Sequence, residues 1–407
     1  MPMKTLSGAL AAVLIAGTAT AALADDVKIG NLVDFTGATS TVSKPFSEGK
    51  AAAFDWINAH GGVNGKKIVY DTVDYSYQAP RAIAAYKRWV SEFGAVAIAG
   101  WGTADTEALV GFLVKDEMPY ISGSYSAHLT DPTGKTSKAA TPYNFFYNVS
   151  YSDGLRGMLQ WALEDWKKKG GQGTPKYVHM GDNHPYPNAA RKAGEEYAKE
   201  LGFEVLPAIQ YSLAPADFKA QCLTLKQSGA NYAYLGNTAG SNISLLKSCE
   251  TVGVEAQFMA NIWGFDESAA EAAGTASNGV VWVVGAATWN DDEPGMKLVR
   301  EIAGGDDYKP VHYTRGICTA FYLKEALEWA DKNGGLTGPN IRQGFYQKAD
   351  WVPAGLDGVC FPSTWTPEDH RGTVDMYVYQ AAYNDGKFSM KRLAETKIER
   401  RPEWLGW

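Results

Sequence analysis

The sequence predicts an α/β protein of two similar lobes, each a parallel, Rossmann-like sheet covered by helices. Three observations lead there. Short apolar runs of strand character alternate with stretches of helical period, the pattern of βαβ units with right-handed crossovers. The chain of 407 residues is too long for one ordinary core and suits about two. One supersecondary pattern also occurs twice.

The elements follow in order. V-K-I-G-N-L-V (27–33) reads as a strand and E-G-K-A-A-A-F-D-W-I-N (48–58) as a helix. A strand at 67–73, a helix over 80–93, a strand at 95–99, a helix over 104–117 and a short strand at 119–122 continue the alternation. It resumes with F-F-Y-N-V (145–149), a helix over 153–169, a strand at 177–182 and a helix over 188–201. Asn384-Asp385-Gly386 between alternating apolar runs marks a hairpin.

The repeat pairs two units. Ala79-Pro80 is expected to open a helix ending at Gly94-Ala95, before a strand that reaches Gly100-Trp101-Gly102-Thr103. Ala214-Pro215 is expected to open another ending at Gly229-Ala230, before N-Y-A-Y-L (231–235) and Gly236-Asn237-Thr238. Both Ala-Pro to Gly-Ala spacings are 15 residues. Ligands of open α/β sheets sit beyond the carboxyl ends of the strands, so the loops at 101–106 and 237–241 are expected to face each other across a cleft.

The first residues carry an export signal. Lys4 supplies positive charge, Leu6–Thr18 is apolar and small, and Ala22-Leu23-Ala24 has the A-x-A form of a cleavage site. The apolar run is too short to span a bilayer and is followed by Asp25-Asp26. Every later apolar run is broken by charges, Gly or Pro, so no membrane insertion is expected. The net charge of −7, without a basic cluster, excludes nucleic acid and anionic membrane as natural partners.

Four cysteines in an exported chain tend to pair. Cys222 and Cys249, on consecutive helices flanking a strand, are the favoured pair, leaving Cys318 with Cys360. Four buried free thiols are the alternative.

No catalytic or metal signature emerges. Gly100-Trp101-Gly102 lacks the third glycine of a dinucleotide fingerprint, the Gly-Lys-Ser/Thr of a phosphate loop and the serine of a nucleophile elbow. The six histidines make no H-E-x-x-H and no metal-ligand spacing, so no metal, cofactor or enzymatic reaction is expected. The strand ends instead carry hydroxyls, in Ser122-Gly123-Ser124-Tyr125-Ser126, near the N-terminus of a helix starting at Ala104. Trp101, Tyr125, Tyr151, Tyr186, Trp263 and Trp289 offer flat apolar faces for a pocket. Helix capping and core packing are the plainer roles for the same residues.

Five segments, in order, carry a resemblance. They are V-K-I-G-N-L-V-D-F-T-G (27–37), A-H-G-G-V-N-G-K-K-I (59–68), P-Y-I-S-G-S-Y-S-A-H-L-T (119–130), D-F-K-A-Q-C-L-T-L-K-Q-S-G-A-N (217–231) and S-T-W-T-P-E-D-H-R-G (363–372). Over nearly the whole exported chain the sequence resembles the periplasmic solute-binding proteins of branched-chain (Leu/Ile/Val) amino acid ABC uptake systems, of the type I periplasmic binding fold. The resemblance implies two lobes joined by three crossover strands, near Val149, Ala286 and Pro353, that close by a hinge on a small molecule. It divides the chain into a signal peptide (1–24), a first lobe (25–148 and 287–352) and a second lobe (149–286 and 353–407). It implies a periplasmic monomer that serves an inner-membrane ABC permease. The ligand contacts it implies are Asp105, Thr106, Ser124, Ser126, Asp153, Tyr186 and Thr238; the facing loops and aromatic faces add Trp101, Thr103, Tyr125, Tyr151, Asn237 and Trp263 as expected contacts. Asp153 falls where relatives bind an ammonium group, and Tyr186 where a tyrosine closes over the ligand. Two departures stand out. Ile262-Trp263 replaces a second acid, and Asp105 stands where a hydroxyl is expected. The leading expectation is an amino acid or related amine-bearing ligand. An aromatic or other carboxylated metabolite, or a neutral amide or polyol, is the alternative, and a sensing role with a separate partner is the other class.

Overall fold

The computed structural model describes Met1 and residues 26–407; the expected signal peptide lies outside the described residues. The first sheet takes β1 (Val27–Val33), β2 (Ile68–Asp74), β3 (Ala97–Ala99), β4 (Tyr120–Ile121) and β5 (Asn144–Phe145) in the order β2-β1-β3-β4-β5, all parallel. The intervening helices are α1 (Ser40–Ala59), α2 (Ala79–Arg88) and α3 (Thr103–Lys115). α2 runs into a π turn (Trp89–Phe93) that Gly94 ends at φ 75°, a left-handed residue glycine adopts freely.

The second lobe begins with α4 (Tyr151–Lys168), β6 (Lys176–Gly181), α5 (Pro185–Asn188) and α6 (Arg191–Glu200). It continues with β7 (Glu204–Val205), β8 (Ile209–Gln210), α7 (Lys219–Ser228), β9 (Tyr232–Leu235), α8 (Ala239–Val252), β10 (Gln257–Ala260), α9 (Glu267–Ala273) and β11 (Val281–Val284). The chain then returns to the first lobe for α10 (Met296–Ala303), α11 (Val311–Lys332) and α12 (Gly338–Phe345). It ends in the antiparallel hairpin of β12 (Asp375–Asn384) and β13 (Lys387–Lys397). The second sheet reads β13-β12-β11-β10-β9-β6-β7, with β8 also on β6; all pairs but the hairpin and its junction with β11 are parallel. The expected turn is present: Asp385 and Gly386 take φ of 52° and 76°, as a tight two-residue hairpin requires.

Three expectations are corrected. Ala214-Pro215 opens no helix, because α7 starts only at Lys219; the repeat reduces to a helix ended by a left-handed glycine (Gly94, Gly229) before a buried strand. The strand at 145–149 pairs only through Phe145; Phe146–Val149 is the first passage between lobes. α1 starts at Ser40 and runs through Pro45, since burial of Val42 and Phe46 outweighs the lost backbone donor.

Three segments pass between the lobes side by side. Asn148 donates to the Gly285 carbonyl (3.2 Å), Ala287 N–H to Val359 (2.9 Å), the Ser363 hydroxyl to Tyr147 (3.0 Å) and the Trp365 indole to Phe146 (3.1 Å). The third passage lies beyond Pro353, because Leu356 and Val359 still pack in the first lobe's core. Disulfides join Cys222 to Cys249, tying α7 to α8, and Cys318 to Cys360, tying α11 to this third passage.

α1 and α11 cross in the first lobe at glycines. A Cβ on Gly49 would lie 2.0 Å from the Tyr313 carbonyl oxygen, and one on Gly316 would lie 2.1 Å from that of Phe46. Only glycine permits this approach, which brings the first turns of α11 to the cleft.

Candidate ligand-binding cleft

The first lobe offers a hydroxyl row. Thr103, the first residue of α3, bonds through its Oγ1 to Ser124 Oγ (2.8 Å), and Ser124 bonds to Ser126 (3.2 Å). Trp101 sits beside them, its indole donating to Thr39 Oγ1 at 2.8 Å. Thr106 is turned inward; its hydroxyl is engaged by the Gly102 carbonyl and Ser122 Oγ, both at 2.7 Å.

Asp105, expected as a ligand contact, is engaged inside its own lobe. Its carboxylate accepts from the backbone N–H groups of Trp101 (3.0 Å) and Gly102 (2.6 Å) and from the hydroxyls of Tyr75 and Tyr120. It caps the helix it belongs to from within. Burial pushes its pKa up while these four donors pull it down. Lys50 is buried beneath it, its ammonium 3.3 Å from the carbonyls of Ala99 and Gly100. Burial lowers the Lys50 pKa to about 7, against the attraction of Asp105.

The second lobe contributes Tyr151, Tyr186, Thr238 and Trp263. Tyr186 donates to Asn261 Oδ1 at 2.9 Å, and the Asn261 amide is held by three carbonyls at the end of β9. The Tyr151 and Tyr186 rings meet edge to face, centroids 5.4 Å apart. The Thr238 hydroxyl is buried without a partner among the described residues. Asn237 is structural, because its amide bonds to Asp182 N–H, the carbonyls of Tyr211 and Ser212, and Ser241.

Asp153 is the second expected contact engaged internally. It lies in the first turn of α4 with its carboxylate 2.7 Å from Arg156 Nη1, and both side chains are buried. The guanidinium offsets the Asp153 charge within the second lobe. Trp289 also leaves the site; it packs in the first lobe's core, its indole on the Asp306 carbonyl.

The cleft's centre is aromatic and carries one cation. Trp263, from the second lobe, inserts among Phe46, Trp101 and Tyr125 of the first, with centroids at 5.4, 4.7 and 5.6 Å; Tyr125 lies nearly parallel to it. Its indole donates to the Gly123 carbonyl across the cleft at 3.0 Å. The Arg315 guanidinium stacks 3.6 Å from the Trp263 ring centre and 5.3 Å from that of Tyr125. Arg315 is 1% exposed, and its Nη1 donates to the Ile262 carbonyl and meets His312 Nδ1, each at 2.9 Å. Its Nε and Nη2 have no partner among the described residues, nor has the Tyr125 hydroxyl. Burial raises the Tyr125 pKa, while Arg315 pulls it back down.

A family model described as periplasmic binding protein matches residues 26–387. The chain belongs to this family. The binding protein is 25% identical over 314 residues to an amino acid binding protein of Pseudomonas aeruginosa, covering 75% of this chain and 79% of that one. It is 26% identical over 257 residues to Leu/Ile/Val-binding protein homolog 7 of Brucella suis, but the match spans only 61% of either chain. In fold it is similar to an ABC transporter substrate-binding protein of Aeropyrum pernix, with a TM-score of 0.82, 24% identity and coverage of 94% and 98%. The parallel-sheet lobes of this binding protein are those of the type I fold.

Of the expected contacts, Trp101, Thr103, Ser124, Tyr125, Ser126, Tyr151, Tyr186 and Trp263 lie together where the lobes meet, and Thr238 precedes Ala239, whose N–H donates to the Trp263 carbonyl. Arg315, His312 and Phe46, which the sequence reading did not single out, pack on Trp263 beside them. The available signal was the lone basic residue in V-H-Y-T-R-G-I-C-T-A-F (311–321), flanked by apolar and small residues on a helix. Among the described residues no group of three His, Cys, Asp or Glu side chains is arranged to hold a metal, and no helix is long and apolar enough to cross a membrane.

Proposed function

We propose that this binding protein is the periplasmic, non-enzymatic solute-receiving subunit of an ABC uptake system, and that its ligand is a small organic acid with a flat ring. The observation that carries this is the Nε/Nη2 edge of Arg315. A buried guanidinium with two unpartnered donors is costly unless an anion meets it, and that edge matches a carboxylate in a bidentate pair. Tyr125 adds a hydroxyl near the same guanidinium, and Trp101, Tyr125 and Trp263 supply faces for a ring. The amine-bearing reading rested on Asp153 and Asp105, and both carboxylates are held by internal donors. A ligand bridging both lobes would stabilise their closed arrangement, the form a permease recognises.

The test is isothermal titration with benzoate and its ring-substituted acids, the matching benzamides, and leucine. Aromatic acids are expected to bind and the amides to fail. Arg315→Gln is expected to weaken an acid at least tenfold, since a hydrogen bond to a charged group contributes about 1.5–3 kcal/mol. Tight binding of leucine with no response to Arg315→Gln would sink the reading.

A further inference from the structure

Two helix N-termini from different lobes meet beside Arg315. Glu267, the first residue of α9 in the second lobe, accepts the Val311 N–H of α11 in the first lobe at 3.2 Å, through Oε2. That N–H belongs to the buried first turn of a 22-residue helix whose own preceding residue, Pro310, gives no side-chain cap. Asp266 caps α9 through Oδ1, accepting from Ala269 N–H at 2.6 Å, and turns Oδ2 to within 3.3 Å of His312 Nε2. His312 Nδ1 in turn lies 2.9 Å from Arg315 Nη1. Burial holds His312 neutral, its pKa well below the usual value, so Nδ1 accepts from Arg315 while Nε2 lies near Asp266 without a hydrogen-bond partner among the described residues. The neutral imidazole therefore sits between a carboxylate of one lobe and the guanidinium of the other.

We propose that Asp266, Glu267 and His312 are positioning residues of this cleft: they fasten the Trp263 loop to the end of α11, hold Arg315 in place, and make closure of the lobes a proton-consuming step. The last part follows from what surrounds Glu267. Both acids are buried at 2% and 4% exposure, and Glu267 Oε1 has no partner among the described residues. Asp266 on the same helix, Asp291 and the Tyr308 phenol crowd it with negative or neutral groups, while Arg315 acts mainly on Asp266 and His312. Burial first, and the neighbouring acids second, push Glu267 up to about 8 from near 4.5; burial pushes Asp266 up to about 6 from near 3.8.

Separating the lobes returns Glu267 to water and to its ordinary value. The sign is then set. Below about pH 4.5 Glu267 is neutral in both arrangements and closure has its full strength. Between about 4.5 and 8 the closed form holds a proton that the open form lacks, so the closing constant falls by up to tenfold per pH unit and levels off above about 8. Asp266 adds a smaller effect between about 3.8 and 6.

The experiment needs no ligand, so its outcome is independent of the organic-acid reading. Small-angle scattering of the full chain from pH 5 to 9 follows the radius of gyration of wild type, Glu267→Gln and the double variant Asp266→Asn/Glu267→Gln. Circular dichroism checks that each is folded. A glutamine or asparagine still accepts the capping N–H groups but cannot ionise. Wild type is expected to expand as pH rises from 6 to 9, and both variants to stay compact throughout. A wild-type radius that does not change with pH, or variants that expand as wild type does, would overturn the proposal.

Discussion

Asp105 shows how a side chain that reads as a ligand contact can be fully engaged inside its own lobe. Its carboxylate is the shared acceptor of two backbone N–H groups and two tyrosine hydroxyls, with Lys50 buried nearby. Removing it leaves several buried donors without an acceptor, each costing about 1–3 kcal/mol. Asp105→Ala is therefore expected to lower the unfolding free energy in urea by more than about 3 kcal/mol, whereas acid binding by the folded fraction stays near wild type. Unchanged stability would show that the four donors find other partners. Asp153 makes the same point from the second lobe, because Arg156 lies one helical turn along and neutralises it. Residue type and chain position were legible for both acids. Their direction was not, since it depends on donors as far as 30 residues away in the chain, such as Tyr75 for Asp105. Arg315 is the opposite case, a residue the motifs passed over that tertiary packing places at the centre of the cleft.

At the scale of elements, strand–helix alternation was legible because it is written in local period, and the Asp385-Gly386 turn because its backbone needs those residues. The starts of α1 and α7 were misread where proline chemistry and tertiary packing disagree. The Gly49–Gly316 crossing was invisible, as nothing local distinguishes a packing glycine from a breaker. Yet that crossing presents Phe46, His312 and Arg315 to the cleft together. Gly316→Ala puts a methyl 2.1 Å from the Phe46 carbonyl oxygen, so α1 and α11 must separate. The expected cost is about 1–3 kcal/mol in unfolding free energy, accompanied by weaker acid binding as Arg315 shifts. A loss of stability with binding intact would show that α11 adjusts elsewhere along its length.

The whole molecule is held by two lobe cores, three passages and two cross-links. Cys222–Cys249 closes a loop of 27 residues within the second lobe and Cys318–Cys360 one of 42 that reaches the third passage. Loop-closure entropy gives about 3–4 kcal/mol for each. Reduction is expected to lower the melting temperature measured by calorimetry, and Cys318→Ser/Cys360→Ser to do so as strongly as Cys222→Ser/Cys249→Ser; no change on reduction would contradict the entropic account. The sequence by itself determined the α/β class, the two-lobed family and the cysteine pairing as the favoured choice, and it singled out the hydroxyl and aromatic residues that the fold brings together. These follow from periodicity, composition and ordered motifs, which are local or additive along the chain. Only the tertiary structure decided that both candidate acids face inward, that the third passage lies beyond Pro353, and that Arg315 meets Trp263 and His312. Those outcomes depend on which donors and rings from distant segments come within 3–6 Å of each other, and a linear sequence does not carry that distance.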